Sequence, residues 1–448
     1  MWEVIPVNDM TSQGHSARRR LRWRAAVSVL AVVVALQSGC VTVPPVPETR
    51  YQVALGQVAV VARQQEPEIK FEGFVHGKGQ GAAMGAGVTF LQCFGAGAGS
   101  TCTGPYCGAA AALWLGICGV ASAVGGVVGA TAAPSAKQVR TAEAKLSSVL
   151  NANLIQESLR DQVIAAAAAS GMRLQAVSPA GAPEPNQARD YRPLGADGVD
   201  TVLEVALTHI GTDGAGINSP VQLRMKAHVR LIRARDNTEI FATDYLFLGE
   251  RHKLSEWSAN QAERLLHALQ KGYEVLGTHI RDNVFLLYPF PDHEAHAAGT
   301  LAVAFGLAPI YPRTRGTLTG DPLIGKHFEW LTVDGLQPTF RWQGFPRETD
   351  IQKAPEEMER VSNVRYDLII AREQNLAPAG IVYRREGLPQ SAHRLETPLS
   401  PDTRYFWTVR AHFELDGRER VTEWSAMHFM ARERWTAPSN WSYRFKTP

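Results

Sequence analysis

Charged and histidine side chains are missing from Gly79 to Ala136, a run of 58 residues in a chain of 448. Without Asp, Glu or His, this segment offers no carboxylate or imidazole for acid–base catalysis or for binding a metal ion. Cysteine is also scarce. The chain has five, of which four lie within this run: Cys93, Cys102, Cys107 and Cys118. The sequence predicts no metal site there and no cofactor elsewhere in the chain.

Motifs that mark several enzyme classes are absent as well. The chain contains no GxSxG, no Walker loop and no EF-hand spacing. In His293-Glu294-Ala295-His296 the histidines are three positions apart, whereas a zincin helix needs four. The glycines at 79, 81 and 85 form GxGxxxG rather than the dinucleotide-binding GxGxxG, and no acidic residue follows about 20 positions on.

The most suggestive carboxylates are Glu204, Asp236, Glu239 and Asp244, which lie on or beside predicted neighbouring strands. Strand positions that face water commonly carry charge, so the pattern gives no reason to assign them a reaction. The sequence predicts a protein that is not an enzyme. Glycan cleavage is a minor alternative that would need two close carboxylates in one cleft.

The net charge is +3, and all of it comes from the first 39 residues, where five arginines outnumber Glu3 and Asp9. The remaining chain is formally neutral, and no stretch of it alternates basic and aromatic residues as a nucleic-acid surface would. This distribution argues against a nucleic-acid partner.

The N-terminal segment has the organisation of an export signal. Basic residues from Arg18 to Arg24 precede an apolar run, Ala25 to Leu36, that is too short to span a bilayer comfortably. The sequence Leu36-Gln37-Ser38-Gly39-Cys40 resembles the lipobox of bacterial lipoproteins, although Gln37 stands where leucine is usual. The resemblance implies removal of residues 1–39 and acylation of Cys40, so that membrane lipid is the first partner. An ordinary signal peptide or a single membrane anchor with a chance cysteine is the alternative.

The position after Cys40 is Val41 rather than Asp, which in this family implies sorting to the outer membrane. Two or more acyl chains hold a protein firmly at a membrane, whereas one holds it weakly. Residues 40–50 are rich in proline and are interpreted as a short tether from which the chain faces the periplasm.

The uncharged run is predicted to form a helical hairpin over residues 79–133. A turn-forming segment from Ser100 to Cys107 separates two apolar arms, and the second arm would be about 37 Å long as a helix. Small residues recur at four-residue spacing on one face and resemble the glycine-zipper segments of envelope lipoproteins; they include Gly81, Gly85, Gly116, Gly125 and Gly129. The hairpin is expected to lie in the membrane, or to pack on the neighbouring domain or on copies of itself.

The four cysteines of the hairpin allow three disulfide pairings. We expect a nested arrangement, with Cys102 bonded to Cys107 across the turn and Cys93 bonded to Cys118 between the arms, because these positions are nearly equidistant from the turn. Export would place them in an oxidising compartment.

Residues 51–295 are predicted to form an α+β domain around the hairpin, with helices on one face of a mixed, largely antiparallel sheet. Strands are expected at Gln52–Val61, Ile69–Val75, Arg173–Val177, Thr201–Thr208, Gln222–Ala234 and Glu239–Leu248, and helical patterns at Lys137–Ser170 and Glu256–Phe285. The segment from Gly198 to Val205 and the hairpin through Asp236 are similar to the corresponding parts of periplasmic accessory lipoproteins, including the curli-type secretion lipoproteins. That similarity implies binding of other envelope proteins.

Residues 296–330 are interpreted as a linker, and residues 331–448 as an all-β, immunoglobulin-like sandwich. The segment Leu399 to Ala411 resembles the E–F corner and F strand of fibronectin type III domains, with Tyr405 as the corner tyrosine and Trp342 as a core residue of an early strand. The resemblance implies a domain used for protein contacts. A turn at Asp416-Gly417 predicts an added hairpin before the closing strand.

Together these features predict a lipid-anchored scaffold or assembly factor for envelope proteins. The alternative is an oligomeric secretion or pore component of the outer membrane, in which copies of the hairpin line or plug a channel. A homo-oligomer would distinguish this alternative from a monomeric adaptor.

Overall fold

The computed structural model describes residues 55–73, 133–151, 154–177, 189–214, 217–288, 302–313, 330–373, 380–429 and 443–448, with scattered positions at 78–86 and 122–131. The predicted signal peptide, tether and most of the apolar hairpin lie outside the described residues. Within the described part, no helix is long and apolar enough to cross a membrane. The chain has a mixed α+β fold with several sheets.

The first sheet has six strands, and their bounds follow the predicted pattern of apolar residues. They are β1 (Val58–Ala62), β2 (Glu68–Phe71), β3 (Gln175–Val177), β4 (Thr201–Asp213), β5 (Val221–Arg233) and β6 (Thr238–His252). Their order is β3-β1-β4-β5-β6, with β2 also paired to β4. The pairings of β1 with β3 and β4, and of β2 with β4, are parallel, whereas β4-β5 and β5-β6 are antiparallel. The prediction of a mixed sheet is confirmed.

Helices cover one face of this sheet. They are α1 (Ala136–Asn151), α2 (Ile155–Ala169), α4 (Leu254–Trp257) and α5 (Glu263–Arg281), whereas a short α3 (Arg192–Ala196) lies on the opposite face. Apolar residues of α1, α2 and α5 share one core cluster with β1, β4, β5 and β6. Helix α5 approaches α2 closely, because a Cβ on Gly277 would lie 2.8 Å from the backbone oxygen of Gln162. A smaller cluster on the opposite face includes Tyr191, Val202 and Ile232.

The helix predicted over Glu256–Phe285 is shorter in the structure, and one position predicted to be buried is exposed. The apolar residues of this pattern predict a buried stripe of Ala262, Leu265, Leu266, Leu269, Tyr273, Leu276 and Ile280. In the structure Leu266 is 42% exposed, and Ala262 precedes the helix with a left-handed φ of +62°. Helix α5 ends at Arg281, and Asp282–Leu286 continues as a π-helical turn. The wider turn changes the direction of the last side chains, which a constant helical period does not anticipate.

Buried Gln156 of α2 fills a gap between β1 and β2. Both strands run parallel to β4, and between them Leu207 has no strand on this side of β4, although it pairs with Ala227 of β5 on the other side. The Gln156 side chain accepts a hydrogen bond from Leu207 N at 2.7 Å and donates one to Leu207 O at 2.9 Å. A side chain therefore satisfies the peptide group that the ladder leaves unpaired, as buried backbone groups require.

The C-terminal region is rich in strands and contains two sheets that share one core. The first has the order β13 (Ala392–Arg394), β10 (Thr339–Trp342) and β8 (Pro309–Tyr311). The second has the order β12 (Ile381–Leu388), β11 (Val361–Ala371), β14 (Arg404–Leu415), β17 (Tyr443–Lys446) and β9 (Leu331–Thr332), with β15 (Arg418–Val421) paired to β14. Strands β7 (Ala302–Phe305) and β16 (Ala426–Phe429) pair separately, and the short helices α6 (Glu348–Lys353) and α7 (Pro355–Met358) precede β11.

Aromatic side chains join the two C-terminal sheets. Phe340 of the first sheet lies edge-on to Trp407 and Phe445 of the second, with ring centroids 5.0 and 5.3 Å apart. Trp342, predicted to be a core residue, is 1% exposed. The Tyr405 hydroxyl accepts a hydrogen bond from Ser400 N at 3.0 Å, which fixes the turn that leads into β14. Strands β7 and β8 lie in the segment interpreted from the sequence as a linker.

Candidate functional site

The sequence-predicted site residues separate into two groups. Cys40, the four hairpin cysteines Cys93, Cys102, Cys107 and Cys118, and the five zipper glycines Gly81, Gly85, Gly116, Gly125 and Gly129 lie outside the described residues. The four carboxylates on the first sheet are described. Among the described residues, no three His, Cys, Asp or Glu side chains come together as a metal site would require.

Glu204 is the buried member of these carboxylates, with 3% of its surface exposed. It accepts a hydrogen bond from the Tyr191 hydroxyl at 2.6 Å and one from Arg230 at 3.2 Å, while Arg230 also pairs with Glu239 at 2.6 Å. Burial, with the charge of Glu204, raises the pKa of Tyr191. The group fastens α3 to the back of the sheet, and its carboxylates are held by cations rather than presented to a cleft.

The other two carboxylates are also engaged. Asp244 pairs with His228 at 2.7 Å and with Lys226 at 2.8 Å. The hydrogen bond from His228, reinforced by Lys226, outweighs partial burial and lowers the pKa of Asp244 to about 2. Asp236 lies in the β5–β6 turn, where it accepts a hydrogen bond from Thr238 N. The turn predicted at Arg235-Asp236-Asn237 is confirmed.

The most unusual electrostatic feature lies between the first domain and the C-terminal sheets. Three charged side chains there are almost fully buried: Asp282 is 4% exposed, Arg410 5% and Asp367 3%. Arg410 donates from Nη1 to Asp282 at 2.5 Å and from Nε to Asp367 at 3.0 Å. Arg281 also bonds to Asp282, at 2.7 Å through its Nε. We call these residues, together with His412, the ionic joint.

His412 completes the ionic joint. Its Nε2 lies 2.6 Å from Asp367, and its Nδ1 lies 3.4 Å from Glu419. Burial lowers the pKa of His412, but the hydrogen bonds to Asp367 and Glu419 outweigh it and the net pKa is raised. Burial alone would raise the pKa of Asp367. The hydrogen bond from His412 and the charge of Arg410 outweigh burial and lower this pKa to about 2. The joint therefore favours a protonated histidine and an ionised aspartate.

Hydrogen bonds to backbone carbonyls and contacts between aromatic rings lie beside the ionic joint. Arg420 of β15 donates to the carbonyl of Phe285 at 2.8 Å, and Tyr288 N donates to Val421 O at 2.9 Å. Tyr288 also packs edge-on against Phe413, and Arg410 lies 4.5 Å above the Trp424 ring. All the described residues belong to one compact unit, and this contact connects its two sheet systems.

The physical chemistry of the ionic joint suits orientation rather than catalysis. Removing these charges from water costs several kcal/mol for each ion, so they are tolerated only where the geometry satisfies each of them. The sequence alone predicts none of these contacts. The one trace in the sequence is that Asp367 and Arg410 have apolar or aromatic neighbours, among them Tyr366, Leu368 and Val409.

A polar groove of about 430 Å³ lies between β6 and the helices α4 and α5. At its wall His252 contacts Glu250 at 3.2 Å and Glu256 at 3.3 Å, and it lies edge-on to Trp257. The segment that closes one end has three consecutive left-handed residues, Asn260, Gln261 and Ala262. Such strain persists only where neighbouring contacts impose it and often marks a binding surface.

Arg410→Met tests the ionic joint. The change leaves Asp282 and Asp367 without their shared cation, and we expect the free energy of unfolding to fall by about 3–5 kcal/mol. The matched control is Arg360→Met, because Arg360 pairs with Asp416 at 2.8 Å while both are 53% exposed. A cost below about 1 kcal/mol is expected there. Urea unfolding measures both, and equal costs would contradict the assignment.

His412→Gln tests the protonation state. Because the folded-state pKa of His412 is raised, its contribution is fully present below about pH 6.5 and is lost as the pH rises through the folded value. We expect the wild-type chain to lose stability on the alkaline side of pH 6.5, and the variant to lose less over the same interval. Urea unfolding at several pH values provides the measurement. Parallel pH profiles for the two proteins would show that His412 binds no extra proton in the folded state.

Comparison with known proteins gives only partial likenesses. No family model and no curated protein matches the chain. A DUF330-family protein from Xanthomonas campestris is 14% identical with a TM-score of 0.20, over 29% of this chain and 60% of that one. A Neisseria meningitidis lipoprotein is 20% identical with a TM-score of 0.13, over 19% and 56%. A hypothetical protein from Chlamydia trachomatis is 15% identical with a TM-score of 0.20, over 30% and 85%. The chain thus spans under two thirds of the first two, and similarity at this level carries no conclusion about function.

Proposed function

We propose that this chain is an exported lipoprotein, anchored through Cys40 in the outer membrane, that acts as a scaffold for envelope proteins on the periplasmic side. The observation that carries the proposal is the ionic joint, in which Arg410 and Asp282 fix two domains in one orientation at the cost of burying their charges. A scaffold needs a fixed distance between its binding surfaces.

The C-terminal domain is proposed to be a fibronectin type III-like module for protein contacts. Supporting this are the three-stranded sheet of β13, β10 and β8 facing the order β12-β11-β14-β17, and the hydrogen bond of Tyr405 to Ser400 at the start of β14. The hairpin of β14 and β15 turns through Asp416 and Gly417, both with positive φ. On the first domain, the groove at His252 and Trp257 is the proposed second contact surface.

Lipid anchoring rests on the sequence from Leu36 to Cys40. In cells grown with labelled palmitate, we expect the wild-type chain to be labelled and to fractionate with the outer membrane. Cys40→Ala should lose the label and enter the soluble periplasm. A conservative control, Ser38→Ala, keeps a small residue in the lipobox and should remain labelled. Labelling that persists in Cys40→Ala would contradict the anchor.

The same cells test the scaffold role. Proteins that co-purify with the detergent-extracted wild-type chain should also co-purify with Arg360→Met but should be depleted with Arg410→Met, provided both variants are present at similar levels. Unchanged co-purification with Arg410→Met would show that a fixed orientation is not needed. A large ring of identical subunits with no other protein would instead support a secretion or pore component.

A further inference from the structure

Helix α1 carries a basic face that the folded core does not use. Its buried residues are Val139, Ala142, Leu146 and Leu150. The side away from the core carries Lys137, Arg140 and Lys145, all exposed, and all three line one surface depression. Glu143 is the helix neighbour of Arg140, three positions on, but does not line the depression. The three cations therefore share one broad side of α1.

The basic face borders a shallow, open depression rather than an enclosed cavity. Its cations line an open depression of about 650 Å³ with Thr141, Ser148 and Gln261. Gln261 belongs to the left-handed segment before α5 and closes one side. Among the described lining residues none is acidic. The depression thus presents positive charge and hydroxyl donors, a combination that suits phosphate oxygens.

The position of α1 in the chain identifies the occupant. Helix α1 begins at Ala136, the last residue of the 58-residue run without charge, and the first cation follows at once. In the described part of that run, Val127 and Val128 are 66% and 58% exposed. Exposed apolar residues that lead directly into a basic helix face have the arrangement of a segment resting on a membrane surface.

We propose that the basic face of α1, formed by Lys137, Arg140 and Lys145, binds the headgroups of anionic phospholipids. This deepens the lipid anchoring proposed above and rests on it for the cellular setting. The face then holds the first domain against the membrane, while the acylated Cys40 keeps the chain from leaving.

Binding to vesicles tests this in the full chain carrying Cys40→Ala, which has no acyl group. We expect it to bind phosphatidylcholine vesicles containing phosphatidylglycerol more tightly than vesicles of phosphatidylcholine alone. Each cation near an anionic surface contributes about fivefold, so Lys137→Gln, Arg140→Gln and Lys145→Gln together should reduce this preference by about 100-fold. Raising the salt from about 0.1 M to about 1 M should suppress it in the parent.

The control removes three exposed arginines from the C-terminal domain, Arg372→Gln, Arg394→Gln and Arg418→Gln, and so changes the net charge equally. This variant should keep the parent's preference, as should the charge-conserving Lys137→Arg, Lys145→Arg variant. Equal loss in the control, or a parent with no preference, overturns the proposal. So does self-association of the parent that the triple α1 variant abolishes, since that assigns the face to a second copy. Palmitate labelling of Cys40 is measured separately, so the anchor and the basic face can fail independently.

Discussion

Burying the charge of Arg410 is the constraint on which the arrangement of the two sheet systems depends. A guanidinium with 5% exposure is stable only if carboxylates meet it with good geometry, and Asp282 follows α5 whereas Asp367 lies in β11. Any rotation that separates Arg410 from Asp282 breaks a buried ion pair and leaves Asp282 with Arg281 alone and Arg410 with Asp367 alone. The π-helical turn at Asp282–Leu286 matters for the same reason, because it brings that carboxylate to β14 and places Phe285 O beside Arg420. Apolar packing alone would tolerate a range of orientations, whereas these bonds select one.

This constraint is the basis of the scaffold that we propose. Two of the carboxylates singled out from the sequence form ion pairs within the sheet. Glu204 pairs with Arg230, and Asp244 pairs with His228 and Lys226. Two other surfaces remain available for contacts. The groove beside His252 lies at the edge strand β6, and the basic face of α1 lies on the side of α1 opposite the core. We propose the first of these surfaces for a protein partner and the second for a membrane.

Local features were predictable because local residues determine them. The core stripe of α5, the turn at Asp236 and the burial of Trp342 follow from hydrophobic period and turn chemistry. The ionic joint was not predictable, because Asp282 and Arg410 are 128 positions apart and each alone resembles a solvated charge. The role of Gln156 was not predictable for a similar reason. Its side chain bonds the backbone of Leu207 only because β1 and β2 leave a gap along β4. Leu266 was predicted to be buried but is exposed. The apolar stripe of a helix does not show which of its two edges packs against the sheet.

Calorimetric unfolding of the full chain carrying Cys40→Ala shows whether the ionic joint unites the two sheet systems. If it does, unfolding is one cooperative transition, with equal calorimetric and van't Hoff enthalpies. We expect this for the parent and for Arg360→Met, and we expect two resolved transitions when Arg410→Met is added. Two transitions already present in the parent would contradict this expectation, because the domains would then be independent and the buried charges would not set their orientation.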